Sequence, residues 1–478
     1  MQEGFGIEKI VYFCKKIEMM FVDRQRELTR LKTALKRDKP QFIVIYGRRR
    51  IGKSTLIKKV LDFERGDIFF MADRTSEPSQ RHLFSATVDR IINGFSSANY
   101  PNWESLLVNL NRFVDKRVTV CLDEFPYLVK SCPALPSILQ KLLDEKLLKY
   151  DLIICGSSQQ MMQGYVLDTK EPLYGRADEI IKMKPIPASF VQQALQCNVT
   201  QAVFEYSVWG GVPRYWELRN NYESLNEAIK NLLLTSDGTL YEEPARLLQD
   251  EMRDTIQASS VLSFIGGGAH KISEIAARAE KKATDITPQL SRLRELGFIS
   301  KEIPFGENEK NSKKGLYYIS DPLMHFHYRY VLPYRSLIEL GNSESVLELF
   351  NATRNDYTSE TWEQLCRNHV AARSIDGVVY KMALRWWGNY FDEERKQYCK
   401  AELDVVAESF DGQHLFIGEC KWKEEVNVRE ELLRLKTIAK GLSFAKGHTI
   451  HYGLFLKEPT THSRNVTVFY PDDVMTSL

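Results

Sequence analysis

The amino-acid sequence predicts an α/β protein with a parallel-sheet domain, a helical domain and a second α/β domain, and three observations lead to this prediction. The chain has 478 residues, enough for about three domains of ordinary size. Residues 21–222 alternate strand-length apolar runs with helix-like segments, a pattern typical of a parallel sheet. Residues 223–315 lack such runs and are expected to be helical, whereas residues 316–478 return to helix, paired strands, helix and strand. Residues 1–20 are expected to be an N-terminal extension, and Met19 or Met20 is an alternative start.

The composition excludes a chain that binds nucleic acid or membranes over its whole surface. Lys and Arg total 65 and Asp and Glu total 63, a net charge of +2, which leaves only local basic patches open. No segment approaches the run of about 20 apolar residues that a membrane span needs. The apolar residues of the N-terminus are interrupted by charged residues, whereas a secretory signal has an uninterrupted apolar core. The eight cysteines form no CxxC pair, so neither disulfides nor structural zinc is expected. We expect a cytoplasmic protein without a membrane partner.

A glycine-rich loop follows the first predicted strand, residues 42–46. Gly47 to Ser54 fit the pattern G-x-x-x-x-G-K-[ST], and a helix-forming run begins at Thr55. In such a loop the backbone N–H groups face phosphate oxygens, so Lys53 is expected to reach the β- and γ-phosphates and Ser54 to ligate Mg²⁺. The residues predicted to bind a nucleotide here are Gly47, Arg48, Arg49, Arg50, Ile51, Gly52, Lys53, Ser54 and Thr55.

Three later segments of the same domain carry polar residues suited to nucleotide hydrolysis. Asp123 and Glu124 end an apolar strand, where Asp123 would hold the Mg²⁺ shell and Glu124 would polarise the attacking water as general base. Ser157 or Ser158, after the strand at 151–155, is placed to sense the γ-phosphate, although a plain strand-to-turn junction explains these serines nearly as well. Arg176 is either an arginine finger, acting in cis or from a neighbouring subunit, or a solvated surface arginine.

These motifs, together with the segment Phe21–Leu28 and Gly210-Gly211-Val212-Pro213, occur in an order that resembles the archaeal-type ATPase family within the STAND and AAA-like P-loop ATPases. The resemblance covers residues 21–222. It implies a parallel sheet of order 5-1-4-3-2 that binds ATP with Mg²⁺, with Phe21–Leu28 near the adenine and Pro213 approaching the base. The family usually has glycine at the first position of its N-terminal motif, where this chain has Asp23.

The middle of the chain predicts a helix-turn-helix followed by a wing. Leu290, Leu293 and Leu296 recur on one face of a predicted helix over 284–296. Two roles stay open for this winged helix: a lid that packs on the ATPase core, or a DNA reader whose helix enters a major groove. In the second case the outward side chains would be Gln289, Ser291, Arg292 and Arg294.

The C-terminal region carries an acidic pair and a lysine on a predicted hairpin. Asp404 lies on the strand at 402–408, and Glu419 and Lys421 lie two apart on the strand at 414–420, so their side chains share a face. Asp404 and Glu419 offer hard oxygens for Mg²⁺ or Mn²⁺, and Lys421 is suited to position or activate water for phosphodiester attack. Glu363, on a predicted helix upstream, is the acid that such sites often add.

This constellation resembles the PD-(D/E)XK, restriction-endonuclease-like superfamily. More narrowly, with Tyr317–Tyr330 and Arg385-Trp386-Trp387, it is similar to the domain of unknown function that ends many archaeal-type ATPases. The resemblance implies a nuclease fold and leaves cleavage open. Two functional hypotheses follow: an ATPase coupled to a nuclease-like domain that acts on DNA, or a regulatory ATPase that binds DNA or a partner protein through an inactive nuclease fold. A homo-oligomer is compatible with both.

Overall fold

The computed structural model describes residues 22–114, 116–252, 254–309, 312–460 and 466–476. The predicted extension at 1–20 lies outside these residues. The described chain forms two compact units, one that runs to Ile186 and includes Val212–Arg214, and one made of Pro187–Gly211 and the residues from Tyr215 onward. No described helix combines the length and apolar character needed to cross a bilayer.

The first unit is built on a five-stranded, fully parallel sheet of order β2-β3-β4-β1-β5. Read from the other edge, this is the 5-1-4-3-2 order that the family resemblance implied, and the prediction is confirmed. The elements of this unit are α1 (Gln25–Leu35), β1 (Phe42–Tyr46), α2 (Lys53–Lys58), β2 (Ile68–Met71), α3 (Glu77–Asp89), α4 (Trp103–Leu110), β3 (Thr119–Asp123), α5 (Phe125–Ser131), α6 (Leu135–Asp144), β4 (Asp151–Gly156), α7 (Gln159–Met162) and β5 (Glu179–Lys182), with short 3₁₀ and π turns at Phe95–Ser97 and Gln163–Leu167.

The central strands β1, β3 and β4 are buried along their whole length, on both faces of the sheet, which explains why they are largely apolar runs, whereas the edge strands β2 and β5 are partly exposed. Alternate residues of β1 serve different cores: Phe42 and Val44 pack in the larger apolar cluster, and Ile43 and Ile45 pack in a second cluster on the other face. Because all strands are parallel, their carboxyl ends meet at one edge of the sheet. That edge receives the glycine-rich loop after β1 and the acidic pair after β3.

The second unit begins with a helical region. Its elements are α8 (Val191–Leu195), α9 (Val199–Trp209), α10 (Pro213–Arg219, whose first two residues group with the first unit), α11 (Leu225–Leu232), α12 (Glu243–Glu251), α13 (Thr255–Gly266), α14 (Ile272–Arg278), α15 (Ala283–Glu295), β6 (Ile299–Glu302), β7 (Leu316–Ile319), α16 (Pro322–Phe326), α17 (Arg335–Glu339) and the long α18 (Ser343–Ala372), with short 3₁₀ and π turns at Ala188–Phe190 and His327–Val331.

Helices α13, α14 and α15 are followed by an antiparallel hairpin, β6–β7, which a bridge between Lys271 and Leu316 extends. Ile286, Leu290 and Leu293 form the buried face of α15, in agreement with the apolar period of the sequence. Hydrogen bonds also tie α9 into the second unit, since the Tyr357 hydroxyl of α18 donates to the Ser207 carbonyl at 2.9 Å. The compact units therefore divide near Ile186, and the domain limits at 222 and 315 stay predictions.

The second unit ends in a mixed sheet of order β10-β11-β12-β13-β14. Strands β10, β11 and β12 are antiparallel, and β12, β13 and β14 are parallel, with α19 connecting β12 to β13. The predicted hairpin, helix and strand are all present. The elements are β8 (Ser374–Ile375), β9 (Val378–Val379), β10 (Leu384–Asp392), β11 (Gln397–Glu408), β12 (His414–Lys421), α19 (Val428–Gly441), β13 (Thr449–Leu456), β14 (Thr467–Phe469) and α20 (Pro471–Val474), with a 3₁₀ turn at Ser443–Ala445.

Candidate functional site

The loop between β1 and α2 curls tightly, and glycine is required at its first position. Gly47 has φ 154°, and a Cβ added there would lie 2.5 Å from the Met183 carbonyl oxygen. Lys53 is buried and its Nζ donates to the carbonyl oxygens of Gly47 and Arg48, at 2.9 and 3.0 Å. The lysine ammonium therefore lies within the curve of the loop, where phosphates are expected to bind.

The other predicted loop residues differ in their exposure and in their backbone conformation. Ile51 is buried, whereas Arg49 and Thr55 are exposed and Arg48 is half-buried. Arg50 and Gly52 both have positive φ, at 66° and 94°. These backbone angles turn the loop into the first residue of α2.

Ser54 and Asp123 meet at the carboxyl edge of the sheet, although 69 residues separate them in sequence. The Ser54 hydroxyl donates to Asp123 Oδ2 at 2.6 Å, and Asp123 is 1% exposed. A hydroxyl and a carboxylate side by side offer the hard oxygens that Mg²⁺ prefers, so this pair fits the metal that accompanies a bound nucleotide.

Glu124 lies next to this pair in a strained conformation. Its φ of 54° and ψ of 43° are left-handed, which is uncommon for a residue other than glycine and is typical of functional sites. Glu124 Oε2 accepts a hydrogen bond from the Ser157 hydroxyl at 2.9 Å. The structure thus brings the predicted base and the predicted sensor into direct contact, and Ser157, of the two serines, holds the carboxylate. Ser158 instead caps α7 by accepting from Met161 N.

The N-terminal segment reaches the loop through Arg24, which sequence reasoning had not singled out. Arg24 is 3% exposed and donates to the Ile51 carbonyl at 3.2 Å. The preceding Asp23 has φ 63°, the left-handed conformation that explains why glycine is usual at this position. Asp tolerates this region better than most residues, and the turn is retained.

Arg176 is not brought to the phosphate loop within this chain. Its guanidinium forms a two-bond ion pair with Asp144, at 2.8 and 2.9 Å. Two residues later, Asp178 pairs with Phe42 at the start of β1, whereas the loop follows the end of β1. Arg176 therefore lies toward the opposite edge of the sheet, away from the phosphate loop of its own chain. A role as an arginine finger for a neighbouring subunit stays a proposal. Pro213 begins α10 and groups with the first unit.

In the second unit, the hairpin β11–β12 brings the predicted acids together. Its register pairs Val405 with Gly418, so the next positions along the two strands are Asp404 and Glu419. Both side chains are buried, at 9% and 5% exposed. Asp404 Oδ2 accepts from the backbone N–H of Cys420 at 2.9 Å, which fixes its carboxylate beside β12.

Two cations cover Glu419. Lys421 Nζ donates to Oε1 at 2.7 Å, which confirms that the two side chains share a face, and Arg434 of α19 contacts Oε2 at 3.0 Å. Glu431 lies 3.6 Å from Lys421 and 3.7 Å from Arg434. Burial works to lower the pKa of Lys421, but Glu419 and Glu431 outweigh it and raise the pKa, so the lysine stays charged.

Glu363 of α18 belongs to an adjoining network that sequence reasoning missed. Its Oε2 lies 3.6 Å from Arg367 and 3.8 Å from Arg385, and both arginines also contact Glu302 of β6. Arg385 stands at an irregularity in the β10–β11 register, a common feature beside functional sites. The sequence offered no periodic signal for this network because its residues come from three separate elements, α18, β6 and β10.

The electrostatics of the acids show how they suit a divalent cation. Burial raises the pKa of Asp404 well above its usual range, and Glu419 and Glu363 add to the rise by repulsion. Burial also raises the pKa of Glu363, against the pull of the two arginines. A divalent cation would relieve this repulsion, so Asp404 and Glu419 fit Mg²⁺ or Mn²⁺. Within the described residues, no three Asp, Glu, His or Cys side chains converge as a metal-binding group, and Glu363 lies close to its arginines.

Comparisons with known proteins agree with the sequence motifs and the sheet order of the first unit. Residues 21–215 match a family described as an ATPase domain predominantly from Archaea, and residues 327–432 match a family described as archaeal and bacterial proteins of unknown function. An uncharacterized protein of Methanocaldococcus jannaschii is 31% identical over 413 residues, covering 85% of this chain and 88% of that protein. An uncharacterized ATP-binding protein of the same organism is 44% identical over 54 residues, covering 11% of this chain and 92% of that protein.

Among solved structures, a Walker-type ATPase of Pyrococcus abyssi is similar with a TM-score of 0.48 and 18% identity, covering 65% of this chain and 96% of that one. The ORC2 protein of Aeropyrum pernix is similar with a TM-score of 0.41 and 13% identity, covering 68% of this chain and 92% of that one. At these TM-scores, neither likeness bears on function.

Proposed function

The chain belongs to the family of archaeal-type P-loop ATPases whose ATPase domain is followed by a C-terminal domain of unknown function, and we propose that it binds MgATP and hydrolyses it. The observation that carries this proposal is the contact of Ser54 with Asp123 at 2.6 Å. Glu124 follows Asp123 directly, and Lys53 precedes Ser54 with its ammonium against the loop carbonyls. A hydroxyl and carboxylate for the metal, a lysine for the phosphates and a base thus lie at one edge of the sheet.

In the proposed reaction, Lys53 and the loop N–H groups bind the phosphates, and Ser54 and Asp123 hold Mg²⁺. When bound, Mg²⁺ neutralises charge on the β- and γ-phosphate oxygens. Glu124 takes a proton from a water that attacks the γ-phosphorus, and the bond to ADP breaks. Ser157 orients Glu124 through its hydroxyl, and sensing of the γ-phosphate by this serine stays part of the proposal.

Glu124→Gln tests this assignment. The amide keeps the shape of the side chain but cannot accept the proton, so we expect ATP to bind with unchanged affinity and to turn over on the order of 10²-fold or more slower. Binding is measured with a fluorescent ATP analogue and turnover by phosphate release, beside Glu145→Gln as an exposed control on the same unit. Wild-type turnover in Glu124→Gln would remove this residue as the base.

For the second unit we propose a nuclease-like domain that acts on DNA. The support is Asp404 opposite Glu419 with Lys421 on the same face, within an order of helix, three antiparallel strands, helix and parallel strand that resembles the PD-(D/E)XK core. Asp404 and Glu419 would hold Mg²⁺ or Mn²⁺, which polarises the scissile phosphate, and Lys421 would position the attacking water. Helices α13–α15 with the β6–β7 hairpin are proposed as a winged helix that contacts DNA or serves as a lid.

A cleavage assay tests the nuclease proposal. Linear, supercoiled and single-stranded DNA are incubated with Mg²⁺ or Mn²⁺, and we expect cutting that Lys421→Ala abolishes. Lys423→Ala is the matched control, because Lys423 is an exposed lysine two residues away. Cutting that survives Lys421→Ala would refute the site assignment.

One observation favours the alternative, a regulatory ATPase with an inactive nuclease fold that binds DNA or a partner protein. Lys421 and Arg434 each take one oxygen of Glu419, so this acid is neutralised without a metal. The alternative predicts intact ATP hydrolysis, no cutting in either metal and DNA binding that depends on the nucleotide.

A further inference from the structure

Glu302 connects the β6–β7 hairpin to the acidic site of the second unit. Its Oε1 lies 3.0 Å from Arg367 of α18, and its Oε2 lies 3.2 Å from Arg385 of β10. One carboxylate therefore bridges two arginines from two other elements. Arg367 is 6% exposed and also donates to the Asp404 carbonyl at 3.2 Å, so the bridge stands directly against the metal-binding strand.

The same two arginines are within reach of Glu363, but at longer distances. Glu363 Oε2 lies 3.6 Å from Arg367 and 3.8 Å from Arg385, beyond hydrogen-bond distance. Glu302 and Glu363 thus compete for one pair of guanidinium groups, and Glu302 has the closer contacts. Without the charge on Glu302, Glu363 would be the remaining acidic partner of Arg367, and Arg385 would be shared between Glu363 and Glu402 of β11, with which it also pairs.

The hairpin is fixed where it supplies Glu302. The backbone N–H of Phe305 donates to the Arg385 carbonyl at 2.8 Å, and the Phe305 ring lies 5.2 Å from that of Phe444. Arg385 also donates to the Tyr318 hydroxyl of β7 at 3.0 Å. Glu302 is therefore held in place before any metal binds.

We propose that Glu302 is a positioning residue for the metal site: it keeps Arg367 and Arg385 on the β6–β7 hairpin, so that Glu363 can turn away from them and become a third ligand when a metal binds Asp404 and Glu419. This inference rests on the proposed metal site of the second unit. Its consequence is that metal affinity at the acidic pair depends on a hairpin that contributes no ligand. Partners of metal ligands commonly change affinity by about 10- to 100-fold when they are removed.

The test measures Mn²⁺ binding to the full chain by electron paramagnetic resonance, without nucleotide. Every protein carries Asp123→Asn, which silences the nucleotide-linked site. Glu302→Gln is expected to weaken Mn²⁺ binding by about 10-fold or more. Glu309→Gln is the matched control, since Glu309 lies on the same hairpin connection and pairs with Arg294 at 2.7 Å, and its affinity should stay unchanged.

A double variant separates positioning from a merely structural role. Adding Arg385→Gln to Glu302→Gln removes one of the two groups that would capture Glu363, so Mn²⁺ affinity should recover in part. Thermal unfolding checks that each variant is folded. Asp404→Asn, which removes a proposed ligand, gives the level of Mn²⁺ binding expected when the site is lost.

Each outcome bears on a different claim. Wild-type affinity in Glu302→Gln would overturn the positioning role and leave the metal site standing. Weakened binding that Arg385→Gln does not restore would also overturn it, in favour of a structural role. If the Asp123→Asn parent binds no more Mn²⁺ than the same protein with Asp404→Asn added, the metal site itself is refuted and the inference with it.

Discussion

At the scale of single residues, the backbone of the phosphate loop decides which side chains are tolerated. Gly47 and Gly52 both have positive φ, but only Gly47 meets a neighbour: its added Cβ would lie 2.5 Å from the Met183 carbonyl oxygen, and nothing lies within 4 Å of that of Gly52. The carbonyl belongs to the backbone just after β5 and cannot rotate away. A substitution at Gly52 therefore tests backbone strain alone, whereas a substitution at Gly47 adds a steric clash.

We expect Gly47→Ala to cost more than Gly52→Ala in both stability and ATP affinity. Gly52→Ala should lower the free energy of unfolding by roughly 1–2 kcal/mol, the cost of a left-handed residue. Gly47→Ala should exceed this, because the loop must shift to relieve the clash and the shift moves the N–H groups that face the phosphates. Chemical denaturation and nucleotide titration of the two variants measure the difference. Equal losses would mean that Met183 gives way freely.

The sequence identified residues whose motif carries its own geometry and missed those that act through distant contacts. Ser54, Asp123 and Glu124 lie together because the loop after β1 and the end of β3 meet at the carboxyl edge of one parallel sheet, and their roles stay predictions. Glu302 was not found, since an ion pair between β6, α18 and β10 leaves no mark on local spacing.

At the scale of elements, apolar period was sufficient to predict the strands and helices around both sites. The predicted hairpin at 402–408 and 414–420 is observed as Gln397–Glu408 and His414–Lys421, and the predicted helix at 428–441 is observed with those bounds. The order of the first sheet came instead from the family resemblance, because pairing of parallel strands depends on contacts far apart in sequence. The irregularity at Arg385 was equally beyond local pattern.

The segment after α16 predicts a dependence of stability on pH. Burial, with a further contribution from Arg335, lowers the pKa of His327 to about 4, whereas an unfolded histidine titrates near 6.5. Between these values the unfolded chain binds the proton and the folded chain does not, so stability falls as pH drops from about 6.5 to about 4, by at most about 1.4 kcal/mol per pH unit.

Urea denaturation across this range should therefore show a shallower pH dependence for His327→Phe than for the wild type. His82→Phe, which replaces an exposed histidine of α3, is the control and should keep the wild-type slope. An unchanged slope in His327→Phe would show that this imidazole is protonated in the folded protein.

At the scale of the whole molecule, the net charge of +2 gives no general attraction for DNA. Any affinity must come from local cations, and the salt dependence of binding then reports how many phosphates they contact. Near the acidic pair, Lys421 and Arg434 are already committed to Glu419 and Glu431. DNA phosphates would have to compete with these carboxylates for the same cations.

The whole chain also predicts a coupling between its two proposed activities. If ATP binding in the first unit controls the second, DNA cleavage by the wild type should change when ATP is added. Lys53→Ala should cut at the same rate with and without ATP, because it lacks the ammonium that reaches the phosphates. Glu124→Gln, which binds ATP but hydrolyses it slowly, should hold the cleavage rate at the ATP-bound level after a single addition. Rates are compared on supercoiled and linear DNA with Lys421→Ala as the blank. ATP-dependent cutting that persists in Lys53→Ala would mean that the nucleotide acts elsewhere than at the loop, whereas ATP-independent cutting in the wild type would mean that hydrolysis serves a separate purpose from cleavage.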